Sequence, residues 1–194
     1  MNIDGLNILI VGVGGQGTLL ASKILGKLLQ KAGYDVKVSE VHGMSQRGGS
    51  VVTYVRYGDH VYSPVIDRGG ADLILSFEVL EAARWMEYLK EDGTIITNTR
   101  EIDPMPVIAG TAQYPSELVK KMKDAGIKVD AFDCLSLAME AGSSKAVNLV
   151  LLGRISSHFD FTVEEWMAEI EEQVPPKFLE INKKAFLLGR EQTA

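Results

Sequence analysis

The feature that most restricts this chain is a glycine loop set between an apolar run and a helical pattern. Ile8-Leu9-Ile10-Val11 is a continuous β-branched and aliphatic stretch, the pattern of a central strand buried on both faces. Gly12-Val13-Gly14-Gly15-Gln16-Gly17 breaks it, and Leu20, Ile24 and Leu28 then recur at helical spacing. Gly33 is placed to close that helix, and a second strand is expected over Asp35 to Val41. Strand, glycine turn, helix and strand in so short a span read as a βαβ unit.

A G-x-G-x-x-G loop in that context has a physical logic. The first glycine permits a tight turn, the second lets backbone approach a phosphate, and the third lets helix and strand pack closely. The helix N-terminus then offers unpaired N–H groups to an anion. A dinucleotide site would add an acidic residue near the end of the second strand, where Glu40 stands. The competing reading is a loop that only packs the crossover and binds nothing. No Cys/His pair or Tyr-x-x-x-Lys set placed for hydride chemistry accompanies the loop.

Further along, the pattern changes. His42 to Gly49 is polar and glycine-rich, and Ser50 to Tyr57 reads strongly as strand. Gly58-Asp59 marks a turn, after which His60-Val61-Tyr62-Ser63 is expected to pair back as a hairpin, making the sheet mixed. Strands are expected at Leu73–Ser76, Thr94–Thr97 and Ile127–Phe132, with helices over Glu78–Leu89 and Pro115–Ala125 and a loop at Pro104 and Pro106. From Leu135 onward the chain reads as helical, with an apolar core helix over Ala146–His158. Thr162 suits the N-cap of a helix over Val163–Gln173, and a last helix is expected from Pro175-Pro176 to Gly189. The fold class is therefore α/β: a Rossmann-like three-layer domain with a mostly parallel, mixed sheet and a helical C-terminal third, one domain over 1–194.

Composition narrows the function classes. The net charge is −6, with no Lys/Arg cluster, so nucleic acid is not an expected partner. Residues 1–59 nevertheless carry 6 basic and 4 acidic side chains, so an anionic ligand is expected to prefer that third. The single Cys134 excludes an internal disulfide and a cysteine-built iron–sulfur or zinc site, and no metal site is expected. Neither a signal-peptide pattern nor an apolar run long enough for a bilayer is visible, so the chain reads as soluble and cytoplasmic, without a membrane partner.

The most informative stretch is Ser39-Glu40-Val41-His42-Gly43-Met44-Ser45-Gln46-Arg47-Gly48-Gly49-Ser50. It lies at a strand's carboxyl end, where α/β folds bind ligands. It fails the nucleophile-elbow pattern, because Arg47 stands where the final glycine belongs. Arg47 among Ser45, Gln46, Gly48 and Gly49 is suited to present a guanidinium and backbone N–H groups to a phosphate or carboxylate. A solvated turn is the plainer alternative.

Together these two motifs resemble the gamma-type subunit of the 2-oxoacid:ferredoxin oxidoreductases, most of all the small (beta) subunit of the indolepyruvate enzymes. Ala71-Asp72-Leu73-Ile74-Leu75-Ser76-Phe77-Glu78, Thr97-Asn98-Thr99, Tyr114-Pro115, Ala146-Val147-Asn148 and Val174-Pro175-Pro176-Lys177 support the resemblance, which runs from Asn7 to Gly189. It implies a subunit of an enzyme that oxidatively decarboxylates a 2-oxoacid to an acyl-CoA while reducing ferredoxin. It further implies that thiamine diphosphate and the iron–sulfur clusters sit on a large partner subunit, through which ferredoxin and coenzyme A are met, in a hetero-oligomer. This chain would help form or cover the active site, with no catalytic residue of its own assigned. Gly12, Gly14, Gly15, Gln16, Gly17, Ser45, Gln46, Arg47, Gly48 and Gly49 are then the candidate phosphate-facing positions, with Glu40 and His42 facing the partner. The alternatives are the gamma subunit of a 2-oxoglutarate, pyruvate or 2-oxoisovalerate enzyme, or a free-standing dinucleotide-binding domain.

Other residues read as structural. Cys134 is expected to be buried, His60 and His158 to be structural, and Trp85, Trp166, Phe178 and Phe186 to anchor a core or an interface. Glu164, Glu165, Glu169, Glu171 and Glu172 are expected to form a solvated face.

Overall fold

The computed structural model describes residues 5–43 and 48–192. A six-stranded sheet is built from β1 (Asn7–Val13), β2 (Asp35–His42), β3 (Ser50–Gly58), β4 (Ala71–Ser76), β5 (Leu89–Asn98) and β6 (Lys128–Phe132). The helices are α1 (Thr18–Lys31), α2 (Val79–Trp85), α3 (Met105–Ile108), α4 (Leu118–Asp124), α5 (Cys134–Ala141), α6 (Val147–Ile155), α7 (Val163–Gln173) and α8 (Leu179–Arg190). The strand order is β2-β3-β1-β4-β5-β6. β1, β4, β5 and β6 are parallel, and β3 runs against both of its neighbours, β1 and β2. The carboxyl ends of all strands but β3 therefore share one edge of the sheet with the start of β3. The mixed, mostly parallel sheet expected from the sequence is present.

β1 shows why the sheet is covered on both sides. Ile8, Leu9, Ile10 and Val11 are fully buried. Ile8 and Ile10 join a core with Ile24 and Leu25 of α1, Leu151 of α6, Trp166 of α7 and Phe186 of α8. Leu9 and Val11 point to the other face, among Ile74, Ile95, Ala82 of α2 and Met122 of α4. Each such side chain contributes about 1.5–3 kcal/mol relative to exposure.

Several expectations need correction. β1 and β2 are joined through α1 but are not neighbours, because β3 lies between them. The short β2–β3 connection returns the chain at once, so β3 pairs with β2 from Asp35↔Gly58 to His42↔Val51 and fills the edge of β1 with its other side. With both edges of β3 taken, His60–Ser63 forms no strand. Val61 instead donates its N–H to the Asp35 carboxylate at 2.9 Å. The Pro104/Pro106 segment is a short helix rather than a loop, since both prolines fall where a helix N-terminus tolerates them. The helix expected from Pro115 begins only at Leu118, after Glu117 in a left-handed conformation.

The C-terminal third holds two further corrections. The last helix passes through Gly189 to Arg190 and does not end there. Glu169 is not solvated: it is 1% exposed and takes an ion pair from Lys31 at 2.7 Å and a hydrogen bond from Gln173 at 2.8 Å. Other end signals hold. Gly33, with φ of 93°, closes α1, and Tyr34 N–H returns to the Leu29 carbonyl at 3.2 Å. Thr162 and Glu165 form a reciprocal capping box at the start of α7.

Candidate functional site: two clefts around the glycine loop

The glycine loop turns from β1 into α1 with Gly15 and Gly17 at φ of 100° and 87°, a region that L side chains rarely adopt. Gly17 is also pressed from behind: a Cβ there would lie 2.8 Å from the Asn148 amide of α6. Gln16 folds back into the loop. Its Oε1 accepts the Val13 N–H at 2.7 Å, and its Nε2 donates to the Phe77 carbonyl at 3.0 Å. Gly14 N–H donates to the Gly49 carbonyl at 2.9 Å, so the two glycine-rich motifs are joined directly. Gly48 is left-handed as well, with φ of 78°. Ser45, Gln46 and Arg47 lie outside the described residues.

A cleft opens on each side of this loop. The first, of about 450 Å³, has Gly14, Gly15 and Thr18 on one wall and Glu40, His42 and Val51 on the other. His42 Nδ1 stands 3.7 Å from Glu40 Oε1, and the Thr53 hydroxyl donates to Glu40 Oε2 at 3.3 Å. The structure thus brings Glu40 and His42 to the loop, though across the intervening β3. Glu40 stands two strand spacings from β1, roughly 10 Å, where a dinucleotide βαβ unit has one. A carboxylate facing this cleft is also unfavourable to phosphate.

The second cleft, of about 480 Å³, is bounded by Gly15, Gln16, Gly17, Asn98, Arg100 and Lys145, among others. Arg100 follows the end of β5, and Lys145 lies in the turn between α5 and α6. Both are exposed, and neither forms an ion pair among the described residues. With the N-terminus of α1 at the same loop, this is the cationic side of the site. Arg100 and Lys145 both lie outside residues 1–59, the segment whose basic excess stands out in the sequence. The position of Arg100, just past a parallel strand's carboxyl end, was the available signal.

Asn98 ties the floor of this cleft. It is fully buried, and its Oδ1 accepts the Cys134 N–H at 3.2 Å. Cys134 is buried too, and that burial pushes its thiol well above the ordinary range, leaving it no thiolate nucleophile. Among the described residues, no group of three His, Cys, Asp or Glu side chains is placed to hold a metal ion. The donors do not fit an iron–sulfur cluster. No helix among them is long and apolar enough to cross a membrane.

Residues 7–192 match the pyruvate ferredoxin/flavodoxin oxidoreductase family. The chain belongs to that family. Both clefts fall within the matched span. Among members of the family, the indolepyruvate oxidoreductase subunit IorB of Thermococcus kodakarensis is 48% identical over 188 residues, covering 94% of this chain and 93% of its own length. The keto/oxoacid ferredoxin oxidoreductase gamma subunit of Geobacter sulfurreducens has a similar fold, with a TM-score of 0.71, 24% identity and 96% of each chain covered. A 2-oxoglutarate:ferredoxin oxidoreductase from Magnetococcus marinus, solved with 2-oxoglutarate, coenzyme A and succinyl-CoA, contains the fold as 30% of its longer chain. There the TM-score is 0.72 and the identity 18% over 96% of this chain. The α/β, Rossmann-like class expected from the sequence agrees with these oxidoreductase folds.

Proposed function

We propose that this chain acts, as one domain, as the small gamma-type subunit of an indolepyruvate ferredoxin oxidoreductase. The observation that carries this is the 48% identity to an IorB subunit over 94% of the chain. Likeness to a keto/oxoacid gamma subunit stands at 24% and supports the sister substrates less. The reaction is the oxidative decarboxylation of an aryl pyruvate to an acyl-CoA with reduction of ferredoxin. Thiamine diphosphate supplies carbanion stabilisation in that chemistry, and iron–sulfur clusters take electrons singly. We assign both to a large cytoplasmic partner subunit, which also meets ferredoxin; the single cysteine of this chain cannot hold a cluster.

The chain's own part is to bind and orient. Coenzyme A carries several phosphate charges, and the cleft between Arg100 and Lys145, beside the N-terminus of α1, is the side that attracts them. Gly15, Gln16 and Gly17 shape its wall, while Gly14 borders the first cleft and Gly12 begins the glycine motif between them. Ser45, Gln46, Arg47, Gly48 and Gly49 are assigned to the same phosphate-binding role on their residue types alone, and Glu40 and His42, which line the first cleft, are assigned to meet the large subunit.

The test is coexpression with the large subunit and anaerobic purification of the complex. A stoichiometric brown complex, with arylpyruvate- and coenzyme A-dependent ferredoxin reduction, is the expected result. Arg100→Ala should raise the KM for coenzyme A about tenfold, the loss expected for a hydrogen bond to a charged group. A chain that purifies alone and binds NAD(P) would overturn the assignment.

A further inference from the structure

The N-cap of α2 is a carboxylate that lines neither cleft. Glu78 caps that helix and is 1% exposed. Its Oε2 accepts the Glu81 N–H at 2.8 Å, which is all that a cap requires. Its Oε1 reaches a different segment, the arc that leaves β5. There it accepts the Ile102 N–H at 3.1 Å and the Tyr114 hydroxyl at 2.5 Å. Burial first, and the Glu78 carboxylate second, push the Tyr114 phenol far above the ordinary tyrosine range, so it remains a donor.

Arg100 sits inside that arc. The preceding Thr99 N–H donates to the Phe132 carbonyl at 3.0 Å, and the Arg100 carbonyl itself accepts the Val79 N–H at 3.2 Å. Two residues on, Ile102 is held by Glu78. The backbone of Arg100 is thus fixed at, before and after the residue, while its side chain lies in the cationic cleft. A shorter Asp or Ser would cap α2 equally well, so capping does not account for the glutamate. Fixing the Cα of a long, rotamer-rich arginine narrows where its guanidinium can meet a phosphate.

We propose that Glu78, acting with Tyr114, is a positioning residue: it sets Arg100 at the cleft and thereby sets affinity for the phosphate-bearing acyl acceptor. This rests on the assignment of that cleft to coenzyme A. The test uses the assembled two-subunit enzyme and measures kcat and KM for coenzyme A in Arg100→Ala, Glu78→Gln and the double variant. Glutamine retains one oxygen acceptor but cannot serve both segments with charged oxygens. Glu78→Gln should raise KM about fivefold with kcat within about twofold of the parent, as lost binding without lost chemistry does. In the Arg100→Ala background it should add nothing, because a residue acting through Arg100 has no effect once Arg100 is gone. Tyr114→Phe should follow Glu78→Gln more weakly, and the Ile102 amide should lose hydrogen-exchange protection in both variants.

If Arg100→Ala raises KM but Glu78→Gln and Tyr114→Phe leave it unchanged, or if the effects add, the positioning role is wrong and the cleft assignment stands. An unchanged KM in Arg100→Ala overturns the cleft assignment, and the positioning role with it. Should Glu78→Gln fail to assemble, Tyr114→Phe decides, since it removes one hydroxyl and leaves the cap intact.

Discussion

Gly153 of α6 and Gly189 of α8 make the point at which those two helix backbones touch. A Cβ on Gly153 would fall 2.0 Å from the Phe186 carbonyl oxygen, and one on Gly189 would fall 1.9 Å from the Val150 carbonyl oxygen. Neither neighbour is a flexible side-chain end, so an added methyl must push the helices apart. Gly189→Ala and Gly153→Ala are each expected to destabilise the chain by about 3 kcal/mol, the upper range for overpacking. Gly33→Ala provides the contrast, with open space but a left-handed φ, and about 1 kcal/mol lost. Urea unfolding midpoints would rank the three, and an Ala at 189 no worse than one at 33 would contradict the close crossing.

Gly189 also shows what a sequence can and cannot disclose. A glycine near the end of a helical pattern looks like a stop, because local chemistry cannot report a helix packed against it. Where the determinant is local, the sequence spoke clearly: Thr162 as an N-cap, Gly33 after Lys31, and the apolar run before Gly12 all did what their neighbours dictated. The insertion of β3 between β1 and β2 was hidden because it depends on which strand reaches the free edge first, and a βαβ pattern reads the same either way. The site divided along the same line. Its glycine loop was legible as a spacing, but Arg100, Lys145 and Asn98 meet it only through the sheet order, and Glu78 gave no sign beyond a familiar-looking stretch. Glu169 looked like one more solvated glutamate until Lys31, far away in sequence, was seen to cover it.

That pairing yields a second prediction. The Glu169 carboxylate is buried, while the Lys31 ammonium that neutralises it stands half in water and is bound to Glu172 as well. The Glu169 and Glu172 carboxylates, as hydrogen-bond acceptors, raise the Lys31 pKa above its ordinary value. Truncating the exposed partner should therefore do more harm than its exposure suggests, because it strands a buried charge. Lys31→Met is expected to lower Tm clearly, and adding Glu169→Gln in that background should recover part of the loss. Thermal melts of the two single variants and the double variant give the coupling. Purely additive effects would mean that the pair is not coupled.

His158 makes stability depend on pH in a definite direction. Desolvation first, and the nearby Arg154 cation second, hold its imidazole below the ordinary value of 6.5, against a smaller opposing pull from Asp130. A group whose folded pKa is depressed binds its proton more readily when unfolded. The folded chain is therefore favoured above pH 6.5, and that contribution fades as pH falls from 6.5 towards the depressed folded value. His158→Gln should flatten this part of the stability profile while leaving the slope at lower pH, which comes from carboxylates such as Asp133, whose pKa its Ser136 hydrogen bonds lower. Denaturation midpoints at closely spaced pH values would show it. An unchanged slope just below pH 6.5 would remove His158 as the cause.

The opposite charges of the two clefts give the last prediction. Arg100 and Lys145 lie on one side of the glycine loop, Glu40 on the other. All three are close enough to the loop to act on a polyanion seated there, and each is solvent-accessible enough to be screened. Over distances near the Debye length, about 8 Å at physiological salt, their contributions should fall as salt is added. In the assembled enzyme, the KM for coenzyme A should therefore rise with sodium chloride. Lys145→Ala should raise KM at low salt and reduce its salt dependence, because one attractive charge is gone. Glu40→Gln should act in the reverse sense, lowering KM at low salt by removing a repulsive charge. A steady-state series in salt for the parent and the two variants separates these cases. Equal, same-signed shifts for Lys145→Ala and Glu40→Gln would mean that the acyl acceptor does not pass between these two clefts, and that the charges around the loop serve the subunit interface instead.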